Sequence, residues 1–290
     1  MADVDAPEAE SSDAPGASDL DERAASTAPV FFQWLHPFGW AAVVFAIVAI
    51  IATIADWDLL IARMPWWLWA ITIATIVVCA FPPILHRVRL VIERVSEVAG
   101  RLALVLAWLI FIIQLFNVIT RYTNDWFEAD ILFGEATSLA WMSFAALFLV
   151  GVAYGVKNGI NPRIDFWWAD FSAKRKAWID FVLHTFLFLP FLIVGLRVLQ
   201  PFAARSLGYN RFANGGEGEW PEGWRVWRTW EQATDAGQLP QGPIQAFILV
   251  GFALWTAQVV AEIIKTGFVI AGREDLGDVT DADDAPLRIE

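Results

Sequence analysis

The sequence predicts an all-α integral membrane protein with about six transmembrane helices, interfacial amphipathic helices and disordered acidic tails. Three observations predict it. The 290-residue chain is 57% hydrophobic and 18% charged, with a mean hydropathy of +0.50, whereas soluble domains carry about 25% charged residues. The apolar residues gather into continuous runs of about 18–22 residues, each enough to cross a hydrocarbon core of ~30 Å as a helix. The loops between the runs alternate between few and many Lys or Arg. Inside lipid, backbone polar groups are satisfied only in helices or closed barrels, and the runs lack the alternation of barrel strands.

Residues 1–30 read as a disordered tail. Residues 1–28 hold eight acids against Arg23, and such a charged, Ala/Pro/Ser-rich stretch cannot bury a core. It lacks the basic start and adjoining apolar stretch of a signal peptide. Residues 31–100 hold two N-terminal spans, Phe38–Ala55 and Trp66–Leu85, and an amphipathic connector. Pro82 and Pro83 fall inside the second span, where lipid-embedded helices tolerate Pro. Cys79 is the single cysteine, which excludes an intramolecular disulfide and a cysteine metal cluster; it reads as an inert buried thiol. In the connector, Val88, Val91, Ile92, Val95 and Val98 repeat at helical spacing, as in a helix lying in the interface plane.

Residues 101–271 hold four more spans, Leu102–Thr120, Ser138–Val156, Ile179–Leu199 and Ile244–Lys265, with a long loop at 200–243. Trp126–Phe133 forms a second amphipathic stretch. A third is marked by Trp220, Trp224, Trp227 and Trp230, which share one helical face. That face is read first as packing on the membrane surface, with docking of another protein as the alternative. Residues 272–290 form an acidic C-terminal tail. The two tails account for the net charge of −12, leaving the membrane region neutral, so no basic nucleic-acid surface is present.

Loops 56–65, 86–101, 121–137 and 157–178 carry 1, 4, 1 and 5 Lys or Arg. By the excess of positive charge on the cytoplasmic side, loops 86–101 and 157–178 face the cytoplasm, both termini are cytoplasmic, and loop 200–243 is external. Trp57, Trp66 and Trp67 cluster at an external turn, and Trp167, Trp168 and Trp178 at a cytoplasmic one, as an aromatic belt requires.

Polar residues inside spans are few. Gln114 and Asn117 share a face of the third span and suit a bond to a neighbouring helix. Arg197 and Glu262 lie near opposite ends of their spans, too far apart to pair, and are expected to snorkel to the headgroups. No span carries a central Asp or Glu, and no paired broken helices build a midplane substrate site. No phosphate loop, Gly-x-Ser-x-Gly or His-Glu-x-x-His motif is present. The reading is therefore a non-enzymatic subunit without cofactor or metal. The rival class is a haem-binding membrane anchor of a respiratory complex, but only His184 of the three histidines lies clearly inside a span. A channel or carrier acting by itself is the third class.

The run from Leu102 to Lys265 resembles the small membrane subunit (DctQ type) of tripartite ATP-independent periplasmic (TRAP) transporters, in a larger form with two extra N-terminal helices. The third span closes on Gln114-Leu-Phe-Asn117 and Arg121-Tyr122. An acidic arm follows, ending at Glu135. Gly151-Val-Ala-Tyr154 then leads into Lys157-Asn-Gly159-Ile-Asn-Pro-Arg163-Ile-Asp165, and Lys174-Arg175-Lys176 precede Trp178-Ile-Asp180. Asn161-Pro162 stands where the family's cytoplasmic loop usually has His. The resemblance implies a bacterial inner-membrane scaffold partnered by a large permease subunit, which holds the substrate and sodium sites, and by a periplasmic substrate-binding protein. It implies sodium-driven import of an organic acid or related solute. It marks Gln114, Asn117, Arg121, Glu135, Arg163 and Asp165 as subunit-interface or structural residues; for Arg163 and Asp165 the residues themselves favour a structural turn clasp, with a contact to a partner subunit as the alternative.

Overall fold

The computed structural model describes residues 35–54, 65–127, 135–159, 171–221, 230–232 and 239–277. Among them, β pairing is limited to two isolated bridges, Asn210 with Glu219 and Gln232 with Pro240. Four helical segments, 82–124, 136–157, 173–206 and 242–270, are long and apolar enough to cross a membrane, and two shorter apolar helices precede them. The all-α membrane fold expected from the sequence is what the chain adopts. The acidic N-terminal tail, residues 278–290 of the C-terminal one, the arm at 128–133, the Arg163–Asp165 turn, and Trp57, Trp167, Trp168, Trp224 and Trp227 lie outside the described residues.

The chain divides into two compact units. The first contains residues up to Pro82 together with 267–279. Its helix α1, Pro37–Ile54, starts at a proline, which lacks the amide that a first turn leaves unbonded. His36 caps it: the Phe38 amide donates to His36 Nδ1 at 3.1 Å. Helix α2, Trp66–Cys79, returns so that its end meets the start of α1. The His36 amide donates to the Cys79 carbonyl, and a Cβ on Gly39 would sit 2.6 Å from that of Cys79. Glycine here permits the close backbone approach that membrane helices use in place of a hydrophobic driving force. The His36 ring covers Gly267, leaving no room for a side chain there, and meets Phe268 edge-on at 5.2 Å.

Helix α2 ends at Cys79, not at the expected Leu85. Pro82 and Pro83 cannot donate to a preceding turn and clash with it; they open a new helix instead. That helix, α3, runs unbroken from Pro82 to Phe127. Its 46 residues extend about 69 Å at 1.5 Å per residue, more than twice a hydrocarbon core. The expected separate interfacial connector is thus the first half of the same rod as the third span. No proline follows Pro83 before Phe127 to break it.

The second unit, Pro83–Thr266 with 280–290, is built from α3, α4 (Ala136–Lys157), the rod α5–α6 (Ala173–Leu183 and Leu189–Ser206), and α7–α8 (Gly242–Ala246 and Ile248–Ile270). Between α5 and α6 the residues His184–Phe188 form a π-helical turn. Pro190 explains it: its ring would clash with the carbonyl four residues back, and a widened turn accommodates this without ending the rod.

Small residues set the helix contacts in this unit. A Cβ on Gly100 of α3 would overlap the Tyr154 ring of α4, and one on Gly151 would lie 3.7 Å from Ala103. Gly251 of α8 faces Leu149 of α4, and Gly195 of α6 faces Phe252 of α8. Phe188 meets Trp255 edge-on at 5.3 Å. At the far end, Ser206 Oγ donates to the Gly242 carbonyl at 3.3 Å. Helix α8 therefore touches α3, α4 and the α5–α6 rod. Its Val259, Ala261 and Ile263 are fully buried.

Candidate functional site

The first half of α3 reverses the usual amphipathic logic. Its valines point outward, with Val91 58% and Val98 64% exposed, while Arg89 and Ser96 are each 1% exposed. A soluble helix buries its apolar stripe; here the buried face holds Leu85, Arg89, Ser96 and Ala99, while the valines face the surroundings together with Arg87 and Arg94. Arg89 Nε lies 2.9 Å from Glu93 on the same helix. Ser96 Oγ donates to Gln258 Oε1 of α8 at 2.6 Å, and Gln258 Nε2 donates to Glu262 Oε1 at 3.0 Å. Such a chain satisfies each polar group where no water reaches, and each bond across membrane helices contributes about 0.6–2 kcal/mol.

Glu262 therefore does not snorkel to the headgroups as expected; its carboxylate is held by Gln258. The signal was the i, i+4 spacing of the two residues, which places them on one helix face. Ser96 gave no sequence signal beyond its place in an amphipathic segment. The expectation that Arg197 and Glu262 do not pair agrees with the contacts: Gly195 lies level with Phe252, ten residues from Glu262 along α8.

At the end of α4, Lys157 Nζ donates to Glu97 Oε2 at 2.9 Å, with Arg101 3.8 Å from the other oxygen. Glu97 lies outside the apolar stretch Leu102–Thr120. The Lys157 hydrogen bond and charge hold its carboxyl below the usual carboxylate range. The pair joins the two arginine- and lysine-rich segments, 86–101 and 157–178, at one end of the unit.

The second half of α3 is different. From Leu104 onward its large side chains are bare: Val105, Trp108, Phe111 and Ile112 are all more than half exposed. A narrower stripe through Leu106, Ile110, Ile113, Asn117 and Thr120 is partly or fully covered. Thr120 Oγ returns its bond to the backbone at Phe116 and Asn117. Gln114 is exposed and Asn117 half-buried. Among the described residues, neither side-chain amide has a hydrogen-bond partner. The expected bond from Gln114 and Asn117 to a neighbouring helix is thus not made within the described chain.

The other predicted residues are scattered. Arg121 is exposed one turn beyond Asn117. Glu135 precedes α4 without a side-chain cap bond, and its carbonyl accepts from Leu139 at 2.9 Å. Trp220 is half-exposed and meets the Tyr209 ring at 5.1 Å with the planes tilted by 54°. Trp230 packs against Gly242. Neither Trp220 nor Trp230 is in a helix, so the described ends of the tryptophan face lack the expected helical geometry. His184 Nδ1 lies 2.6 Å from the Asp180 carbonyl, and His36 Nδ1 is taken by the α1 cap. Each has one ring nitrogen committed to local backbone.

The family model described as "Tripartite ATP-independent periplasmic transporters, DctQ component" matches residues 110–266, more than half of the chain. The match begins on the bare half of α3 and ends on α8, four residues past Glu262. Comparisons with curated proteins and with solved structures return no match.

Proposed function

Because the chain belongs to the DctQ component family of tripartite ATP-independent periplasmic transporters, we propose that this small membrane subunit is the fixed scaffold against which a large permease subunit is held. The family is a transporter component and not an enzyme family. The observation that carries the scaffold reading is the bare half of α3, with Gln114 and Asn117 on it. An amide at membrane depth is costly unless another helix bonds it. This chain supplies no such partner among its described residues, so the partner belongs to another subunit. The valine stripe of the first half adds a second outward apolar surface on the same helix.

The finer assignment follows from what such a scaffold serves. The large subunit carries the substrate and sodium sites, and a periplasmic binding protein delivers an organic acid or related solute. Gln114, Asn117, Arg121 and Glu135 contribute to the contact between membrane subunits, with Arg163 and Asp165 on the opposite side of the bilayer. Trp220, Trp224, Trp227 and Trp230 belong to the external surface, where they pack on the membrane or meet the binding protein. Both termini lie on the cytoplasmic side of the bacterial inner membrane. The Glu97–Lys157 pair supports that orientation, because it keeps the two positively charged segments together.

Co-expression with the large permease subunit tests the scaffold. The tagged chain should retain the large subunit through purification, and Gln114→Ala with Asn117→Ala should weaken that retention. In vesicles, solute uptake should need both membrane subunits, the binding protein and an inward sodium gradient. Uptake by this chain alone, or a Soret absorption band of fixed stoichiometry in the pure protein, would sink the reading.

A further inference from the structure

The outward side of α3 follows a strict seven-residue period. Ile84, Val88, Val91, Val95 and Val98 stand in its first half, at alternating steps of four and three residues. Leu102, Val105, Leu109, Ile112, Phe116 and Ile119 continue the same alternation through the second half without a slip. Every one of them is between 39% and 64% exposed. From residue 84 to 101, each exposed residue either belongs to this row or is Arg87, Arg94 or Arg101. The three arginines also repeat every seven residues, each directly before a member of the row, so they form a rail along one flank of it. Arg101 lies 3.8 Å from Glu97. Arg87 and Arg94 have no ion-pair partner among the described residues.

Lipid asks only that such a face be apolar; a fluid acyl medium sets no period. An average step of 3.5 residues is what a helix needs to keep one line in contact with another helix, because a straight α-helix drifts ~20° per heptad away from it. Length also separates the first half of α3 from lipid. Ile84 to Arg101 extends about 26 Å along the axis, beyond the apolar stretch that starts at Leu102. Even a tilt of about 40° leaves about 20 Å of height, against the about 5–8 Å of one headgroup layer. A second copy of this chain fits poorly. In a parallel pair the arginines would face the positions of Leu85, Ile92 and Ala99, which carry no charge, and in an antiparallel pair they would face one another. We propose that residues 84–119 are one half of a heterotypic coiled coil. The other half is a single helix of the large permease subunit that continues past the cytoplasmic membrane surface and sets Asp or Glu opposite Arg87, Arg94 and Arg101. The inference rests on the scaffold reading for the identity of that subunit, but Gln114 and Asn117 stand off the seven-residue row, so the two contacts can be scored separately.

The test uses the full chain co-expressed with the large subunit. A photo-cross-linking residue placed at Val91 or Val98, both outside the bilayer, should capture the large subunit, and mass spectrometry of the adduct should place the attachment in a helix with acids beside it. Arg87→Glu combined with Arg94→Glu should lower retention of the large subunit by about tenfold at low salt, as flanking attractions become repulsions. Both arginines are exposed, so the melt of the isolated chain should not move with them, which a merely structural role would not allow. Raising the salt should weaken retention by the unaltered chain and leave the Arg87→Gln, Arg94→Gln variant unaffected; this milder pair decides the matter if the glutamates disturb folding. Capture of a second copy of this chain, or of lipid alone, overturns the proposal. So does full retention by the charge-reversed variant. In those cases the scaffold reading stands if Gln114→Ala with Asn117→Ala still weakens retention. An unaltered chain that holds no large subunit sinks the scaffold reading and this inference with it.

Discussion

Helices α8 and the second half of α3 are both long and apolar, yet they occupy different environments. A third of the apolar window of α8 is buried within the chain, and none of that of α3 is. Helix α8 packs by glycine and seats Gln258 and Glu262 against Ser96. Helix α3 carries Gln114 in the open. The difference teaches that membrane insertion and packing are separate properties. Apolar composition places a helix in lipid, but the lipid is as apolar as leucine, so composition says nothing about whether protein or lipid covers it.

Substitution at Gly251 should produce the largest effect on the α8 side of the contrast. A Cβ there would stand 2.8 Å from Leu149 side-chain atoms and 3.2 Å from its carbonyl oxygen, so Gly251→Leu must part α8 from α4. A loss of about 3 kcal/mol is expected from overpacking, read as a lowered melting temperature of the isolated chain in detergent. Gly251→Leu with an unchanged melt would mean that α8 is not the packing centre.

The next effect in size is at Gln258. Its replacement by Leu removes the Ser96 bond and strips Glu262 of its donor. About 2 kcal/mol should be lost, because two buried polar groups are left unpaired. Gln258→Glu, which keeps an acceptor for Ser96 but sets a second carboxyl against Glu262, should not rescue.

The bare helix should respond in the opposite way. Gln114→Ala combined with Asn117→Ala should leave the isolated chain within about 0.5 kcal/mol of the original, as exposed substitutions do. Retention of the large subunit should fall by roughly tenfold, a factor that corresponds to about 1.4 kcal/mol. A double variant that melts early yet still holds its partner would invert the comparison and place the packing role on α3.

The smallest effect is expected at Glu97 and Lys157. Both are partly exposed, where ion pairs contribute little and salt screens them. Lys157→Ala should shift the melt barely at low ionic strength and not at all in high salt. Because the Glu97 carboxyl is held below its ordinary value, whatever it contributes is present at neutral pH and is lost as the pH falls through the acid range. A melt that strengthens on acidification would contradict this sign.

Much of the candidate site was legible in residue order. Gln114 and Asn117 stood out because amides are rare in apolar runs, and their exposure gives that rarity its meaning. The i, i+4 spacing of Gln258 and Glu262 is a signal from which their pairing could be read, but their link to Ser96 has none, since 162 residues separate Ser96 from Gln258. The interfacial reading of Val88–Val98 followed the periodicity correctly and missed the continuity. A helical period is identical in a separate helix and in an extension of the next one, and only Pro82 and Pro83 fixed where α3 begins.

The sequence by itself determined that this chain is a bundle of membrane helices, which way its charged loops bias it, and which family it joins. These follow from composition, from the cost of unbonded backbone in lipid and from local motif order, all of which are written along the chain. Tertiary structure alone decided that α8 is partly enclosed while the second half of α3 is bare, and that Arg89 and Ser96 of the first half of α3 turn inward. Those outcomes depend on which glycine faces which side chain across helices, a three-dimensional fit that hydropathy does not encode.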